Sequence, residues 1–212
     1  KFWRKAPINA FAKEMIPSEI NRSKEIVSIA LNKYPQELLA KNLKKVYYLK
    51  SMKFYDVDFG GTNSLHALYL TNNGEQDGYT ILYMEQAFHH EFSSILFRNY
   101  PTLLDTAAWC RANKGFDYTD PDGGVGAIRI NQASQLLDTL LCQKGVLTSY
   151  ALSSLENDIN TFAQNLFCPA INFWAVVAKF PMIRKKTNLL IAFYQQLNPL
   201  FTEEYFRMLE SP

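Results

Sequence analysis

The sequence predicts an α+β fold, mostly helical with a small antiparallel or mixed sheet of three to four strands, and three observations carry that expectation. Segments rich in β-forming residues are Val46-Tyr47-Tyr48-Leu49, Leu65 to Leu70 and Tyr79 to Tyr83, punctuated by Gly60-Gly61-Thr62-Asn63 and Asn72-Asn73-Gly74, which read as turns. From Glu85 onward the apolar residues recur at helical spacing. The chain has 212 residues, 48% hydrophobic and 14% aromatic, long enough for one well-buried core and short for two. Residues 18–212 are therefore expected to form one domain behind an extended N-terminal arm, residues 1–17.

That arm carries Pro7 and Pro17 with little periodicity and is expected to pack through Phe2, Trp3 and Phe11. Ser18 can cap an opening helix in which Ile20, Ile26, Val27, Ile29, Ala30 and Leu31 have broadly helical spacing, until Tyr34-Pro35 ends it. Pro35 to Leu43 reads as a second short helix. After the strands, Glu85, Phe88, His89, Phe92, Ile95 and Leu96 share one helix face, while His90, Ser94 and Phe97 fall on another, and Asn99-Tyr100-Pro101 stops the helix. Further helices are expected over Leu103 to Asn113, over Asn131 to Gln143 with Gly145 beyond the end, and over Ser154 to Phe167. Another runs across Ile171 to Leu197 with a break at Pro181, and Thr202 can cap a last one through Leu209.

Composition excludes several function classes. Lys+Arg of 22 against Asp+Glu of 20 gives a formal charge of +2, with no basic run, so no phosphate-backbone binding and no nucleic-acid partner are expected. The longest strongly apolar stretches, such as Ile171 to Phe180, are about half the roughly 20 residues that a spanning helix needs. A first residue of Lys rather than Met reads as a processed product from which an export signal has been removed. Cys110, Cys142 and Cys168 are far apart and lack C-x-x-C spacing, so buried free thiols are expected instead of a disulfide framework or a zinc knuckle.

The most informative stretch is His89-His90-Glu91-Phe92-Ser93-Ser94. It reads as the zinc-protease motif H-E-x-x-H with the second histidine replaced by Ser94. In the intact motif two histidines on one helix face hold Zn²⁺, and the glutamate after the first activates the metal-bound water. The same residues also suit helix packing and surface hydrogen bonding, and Glu85 with His89 can form an i,i+4 pair.

In Tyr150-Ala151-Leu152-Ser153-Ser154-Leu155-Glu156-Asn157-Asp158-Ile159-Asn160, Ser153 and Glu156 have capping-box spacing. Leu155, Ile159, Phe162 and Leu166 form a core stripe with Asp158 on its border, from which it could serve as a third metal ligand. An acid favoured by the helix dipole is the alternative for Asp158. Asp117, Asp120 and Asp122 before Gly123-Gly124 fail the calcium-loop register, since the first ligand position would be Tyr118 and the twelfth Arg129. An aspartate-rich turn is expected there.

Three segments together, His90-Glu91-Phe92, Trp109 to Tyr118 and Tyr150-Ala151 with the helix around Asp158, resemble a family: the zinc-binding metallopeptidase lipoproteins of Bacteroidetes, often encoded beside outer-membrane polysaccharide import systems. The resemblance spans residues 20 to 210 and implies a zincin-like fold, with His90 as a zinc ligand, Glu91 as general base and Asp158 as an acidic ligand. Family members of the active type look like H-E-F-x-H followed by an E-D-F-A-E-like helix, whereas here Ser94 stands at the second histidine and Asn157 and Asn160 dilute the acidic cluster. Rewiring through His89 or His66 would restore a ligand, although His89 sits about 100° round the helix from His90.

Three functional readings follow. One is an exported periplasmic or outer-membrane lipoprotein with a degenerate metallopeptidase site, binding a peptide or glycan as an accessory component of a nutrient-import complex, and touching the membrane only through a removed lipid anchor. The second is an active zinc metallohydrolase with a rewired ligand set, and the third a structural accessory protein.

Overall fold

The computed structural model describes residues 2–119, 124–130 and 132–210, and the chain forms two compact units, Lys1–Ile95 and Leu96–Pro212. The fold class is α+β, as expected from the sequence.

The first unit holds β1 (Phe11–Lys13), α1 (Ile20–Leu31), α2 (Gln36–Asn42), β2 (Lys45–Leu49), β3 (Ser51–Phe54), β4 (Val57–Phe59), β5 (Gly61–Asn63) and β6 (Ala67–Thr71), with α3 (Ile81–Asn99) running past its boundary. The strands make two sheets of three. One is antiparallel in the order β1-β3-β4; the other is mixed, β2-β6-β5, with β2 parallel and β5 antiparallel to β6. Val46 sits opposite Leu68 and Tyr48 opposite Leu70, so Leu68 and Leu70 point to one buried face. The N-terminal arm contributes β1, paired Phe11 to Lys53.

Several local expectations are corrected here. Gly60-Gly61-Thr62-Asn63 is strand β5 and the residue before it, because the glycines serve a close approach by α3 and no turn is needed. Tyr79 to Tyr83 is no strand: Gly78 turns the chain at φ 87°, and the Thr80 hydroxyl accepts from the Tyr83 amide at 3.2 Å, so the segment leads into α3. The β3–β4 hairpin has no Gly or Asn signal; Tyr55 and Asp56 both adopt positive φ, 53° and 64°, as a primed two-residue turn requires. Pro17–Glu19 forms a 3₁₀ turn, which leaves Glu19 and not Ser18 at the head of α1.

The second unit is helical: α4 (Thr106–Cys110), α5 (Val125–Arg129), α6 (Thr139–Cys142), α7 (Leu155–Phe167), α8 (Phe173–Lys179), α9 (Pro181–Leu197) and α10 (Glu203–Met208). At its centre is α7, in which every residue from Asn157 to Phe167 is buried. Around the end of α7, Phe167 makes edge contacts with Tyr194 (5.0 Å between centroids), Phe201 (5.6 Å) and Phe206 (5.0 Å).

The break between α8 and α9 falls at Pro181, which opens α9 as its first residue, and Thr202 caps α10 through the Tyr205 amide. Helices expected over Leu103 to Asn113 and Asn131 to Gln143 are shorter, because Asp105 and Asp138 accept the first amides of α4 and α6 and so set their starts; Asn131 lies outside the described residues. Ser154, not Ser153, caps α7, since the Ser153 hydroxyl donates to the Tyr150 carbonyl.

Candidate functional site

Within the first unit, α3 presents Glu85, Phe88, His89, Phe92 and Ile95 to the core, all buried as the periodicity predicts. Two of these are ionisable, and burial of a charge requires partners. Glu85 accepts from the ammonium of Lys33 and lies 3.3 Å from His89 Nε2, while His89 Nδ1 lies 2.8 Å from the Tyr34 hydroxyl. One tautomer satisfies both contacts: Nε2–H donates to Glu85, and Nδ1 accepts the Tyr34 proton.

Burial pushes His89 down to about 4, so the ring is neutral at pH 7. Burial works against ionisation of Glu85 as well, but the hydrogen bonds from His89 and Lys33 outweigh it and bring the carboxyl down to about 2. Both nitrogens of His89 are thereby committed to an internal relay.

His90 and Ser94 are also buried in α3. Glu91 sits against β5, where Asn63 Nδ2 donates to its Oε2 at 2.8 Å. A Cβ on Gly61 would stand 2.7 Å from Glu91 Oε1, and one on Gly60 would collide with the Tyr83 hydroxyl. The glycine pair therefore lets strand and helix meet closely enough for Asn63 to orient the Glu91 carboxylate. His66 precedes β6, its Nδ1 donating to the Asn42 carbonyl at 3.2 Å.

Asp158 lies in the second unit and is fully buried. Its Oδ2 accepts from Lys186 Nζ (2.6 Å), the Tyr118 hydroxyl (2.7 Å) and Trp109 Nε1 (2.8 Å), while Oδ1 is buried without a hydrogen-bond partner among the described residues. Lys186 is equally buried and also donates to Asn113 Oδ1 at 2.6 Å. Burial drives Asp158 up and Lys186 down, toward the neutral forms, with the mutual attraction opposing both shifts. The tight contacts explain why Asp158, placed by the sequence on the border of a stripe, is at the centre of a polar cluster.

Catalytic zinc takes three protein ligands, and among the described residues no group of three or more His, Cys, Asp or Glu could hold a metal ion. His89 is spent on Glu85 and Tyr34, the Asp158 charge is balanced by an ammonium, and Ser94 is neutral. The donor set does not fit the ion. Asp120, Asp122 and Gly123 of the aspartate-rich turn lie outside the described residues. No helix is long and apolar enough to cross a membrane among the described residues.

The first unit also carries a pocket of about 660 Å³ between the arm and the sheets, lined by Trp3, Arg4, Phe11, Tyr47, Met52, Phe54 and Tyr69 among others. Tyr47 and Tyr69, opposite each other in the β2–β6 register, stack at 5.1 Å, and Trp3 stands edge-on to both Phe54 and Tyr69 at 5.9 Å. Trp3 and Phe11 remain exposed. The sequence signalled the aromatics but not their convergence, which needs β1 to pair with β3.

Lys186 was also missed. It lies in a Lys-rich stretch, Arg184-Lys185-Lys186, and only the helical phase that sets Ile183, Thr187 and Leu190 in the core distinguishes it from its exposed neighbour. Comparison with protein-family models, curated proteins and solved structures finds no match to this chain.

Proposed function

We propose that this chain is a zincin-like binding or accessory protein, exported to the periplasm or cell surface and serving a nutrient-import system, whose degenerate metallopeptidase site performs no hydrolysis. Its pocket in the first unit takes an apolar or aromatic side chain of a peptide. The observation that carries the reading is the pocket itself: a concave, largely apolar site with five aromatic side chains and a cationic one, Arg4, at hand for a carboxylate. A glycan would need many more donors and acceptors than Arg4 and the tyrosine hydroxyls offer. The export and import parts of the reading rest on the family resemblance. The committed partners of His89 and Asp158 support the loss of metal chemistry.

The test is calorimetric titration with short peptides carrying a Phe or Leu beside a free carboxylate, in EDTA and in added zinc. Binding is expected to be indifferent to zinc and to weaken at least tenfold, about 1.4 kcal/mol, in Tyr69→Ala. Binding that needs zinc, or that ignores Tyr69→Ala while responding to oligosaccharides, refutes it. A second reading, an active zinc metallohydrolase, is favoured by one observation, the orientation of Glu91 by Asn63. Stoichiometric zinc with hydrolysis lost in Glu91→Gln would establish it in place of the first.

A further inference from the structure

Lys186, Asn113 and Asp158 meet in the second unit with a geometry that an ion pair alone does not require. Lys186 Nζ is 2.6 Å from Asn113 Oδ1 and 2.6 Å from Asp158 Oδ2. It is walled by the rings of Trp109, Phe116 and Phe162, whose centroids lie at 5.3, 5.9 and 5.8 Å. The Tyr118 hydroxyl donates to Asp158 Oδ2 at 2.7 Å and lies close enough to the Asn113 side chain to interact with it electrostatically. Because Asn113 Oδ1 is taken by Lys186, the group facing Tyr118 is the amide nitrogen Nδ2. An amine, an amide, a carboxylate and a phenol thus lie together in an aromatic enclosure, linked through Lys186 and Asp158, with Asn113 itself only partly buried.

We propose that Lys186 and Asn113 join in an intramolecular isopeptide bond, with Asp158 as the proton-transfer group. One Lys186 proton passes to Asp158 Oδ2, the freed Nζ lone pair attacks Asn113 Cγ, and the carbonyl electron pair moves onto Oδ1. As the tetrahedral centre collapses, the Cγ–Nδ2 bond breaks and Nδ2 takes a proton from Tyr118. Tyr118 is refilled by Asp158, and Asp158 takes the second Lys186 proton. The products are a secondary amide, ammonia and a neutral Asp158 carboxyl, so atoms and charge balance with no added reagent.

Two features favour the reaction here. The aromatic enclosure destabilises the charged amine and carboxylate relative to neutral forms. The neutral product also removes an ionised carboxylate whose Oδ1 has no hydrogen-bond partner among the described residues. The part-exposed Asn113 gives the ammonia a way out. This inference is independent of the proposed peptide binding, which concerns the first unit.

The test is the intact mass of the denatured full chain, followed by tandem mass spectrometry of its tryptic peptides. The expected result is a loss of about 17 Da, one ammonia, with the Asn113 peptide joined covalently to the Lys186 peptide. The closed loop should also speed migration of the denatured chain on a gel. Asn113→Ala, at a part-exposed position and with its helicity checked by circular dichroism, is expected to restore full mass and normal migration. Tyr118→Phe is expected to slow the appearance of the linked form after refolding. A full-mass chain whose Lys186 is freely acetylated after denaturation overturns the proposal. So does a loss of ammonia mapped to Asn-Gly cyclisation at Asn73-Gly74, or to Asn113 with Lys186 still free.

Discussion

Replacing His89 by glutamine tests the relay in the first unit. The amide of Gln can still donate to Glu85 and accept from Tyr34 but does not titrate. In the folded protein His89 is depressed to about 4 from an ordinary value of 6.5, so between these limits the unfolded chain binds a proton that the folded one refuses. Stability is therefore complete above pH 6.5 and falls as the pH drops from 6.5 toward 4. Two and a half pH units at roughly 1.4 kcal/mol each amount to about 3 kcal/mol.

Glu85 acts in a separate window. Its carboxyl lies at about 2 when folded, against 4.5 ordinarily, so its contribution is present above pH 4.5 and is lost below it as the pH falls toward 2. Urea unfolding at pH 7 and pH 4.5 thus isolates the histidine. The wild type is expected to lose about 2–3 kcal/mol more than His89→Gln over that interval. The variant should pay its own modest packing cost equally at both pH values. Equal losses in the two proteins would refute the assignment of a buried neutral imidazole.

Three further outcomes follow from named contacts. In an Asn113→Ala background, where no cross-link can form, Lys186→Met leaves Asp158 buried without its counter-charge and is expected to cost about 3–5 kcal/mol in chemical unfolding; adding Asp158→Leu should recover much of it, and failure of that rescue would locate the energy elsewhere. Gly61→Ala sets a Cβ 2.7 Å from Glu91 Oε1 and 3.0 Å from Glu91 Cγ, so a loss of about 1–3 kcal/mol is expected, and an unchanged melting curve would mean that the Glu91 side chain swings away from Asn63 at little cost. With a thiol reagent such as DTNB, Cys110, the exposed thiol, should react in the native state, and Cys142 and Cys168, both buried, only on unfolding. Burial that raises Cys142 to about 11 adds to its inertness, and three native-state equivalents would contradict the packing.

Much of the architecture is written in local pattern. The core face of α3, the Pro181 start of α9 and the Thr202 cap are decided by spacing and by side chains within a few residues of the backbone they serve. Elsewhere a distant partner overrules local propensity. Gly60-Gly61 looks like a turn because its reason for being glycine, the Tyr83 hydroxyl and the Glu91 carboxylate, lies more than 20 residues away. The Tyr55-Asp56 turn carries no Gly or Asn, and pairing of β3 with β4 holds its positive φ values. Pairing of β1 with β3 over 40 residues of separation cannot be seen in a three-residue segment.

The candidate site divides in the same way. By itself the sequence determined which groups capable of chemistry exist, that His90 and Glu91 ride on a helix with Ser94 where a second histidine would complete a zinc motif, and that Asp158 opens a buried helix. Only the tertiary structure decided what those groups are bonded to: His89 to Glu85 and Tyr34, Glu91 to Asn63, and Asp158 to Lys186, Tyr118 and Trp109. The physical reason is that the charge state and reactivity of a buried group are set by its nearest donors and acceptors and by the exclusion of water, and here most of those neighbours arrive from 28 to 55 residues away in the chain.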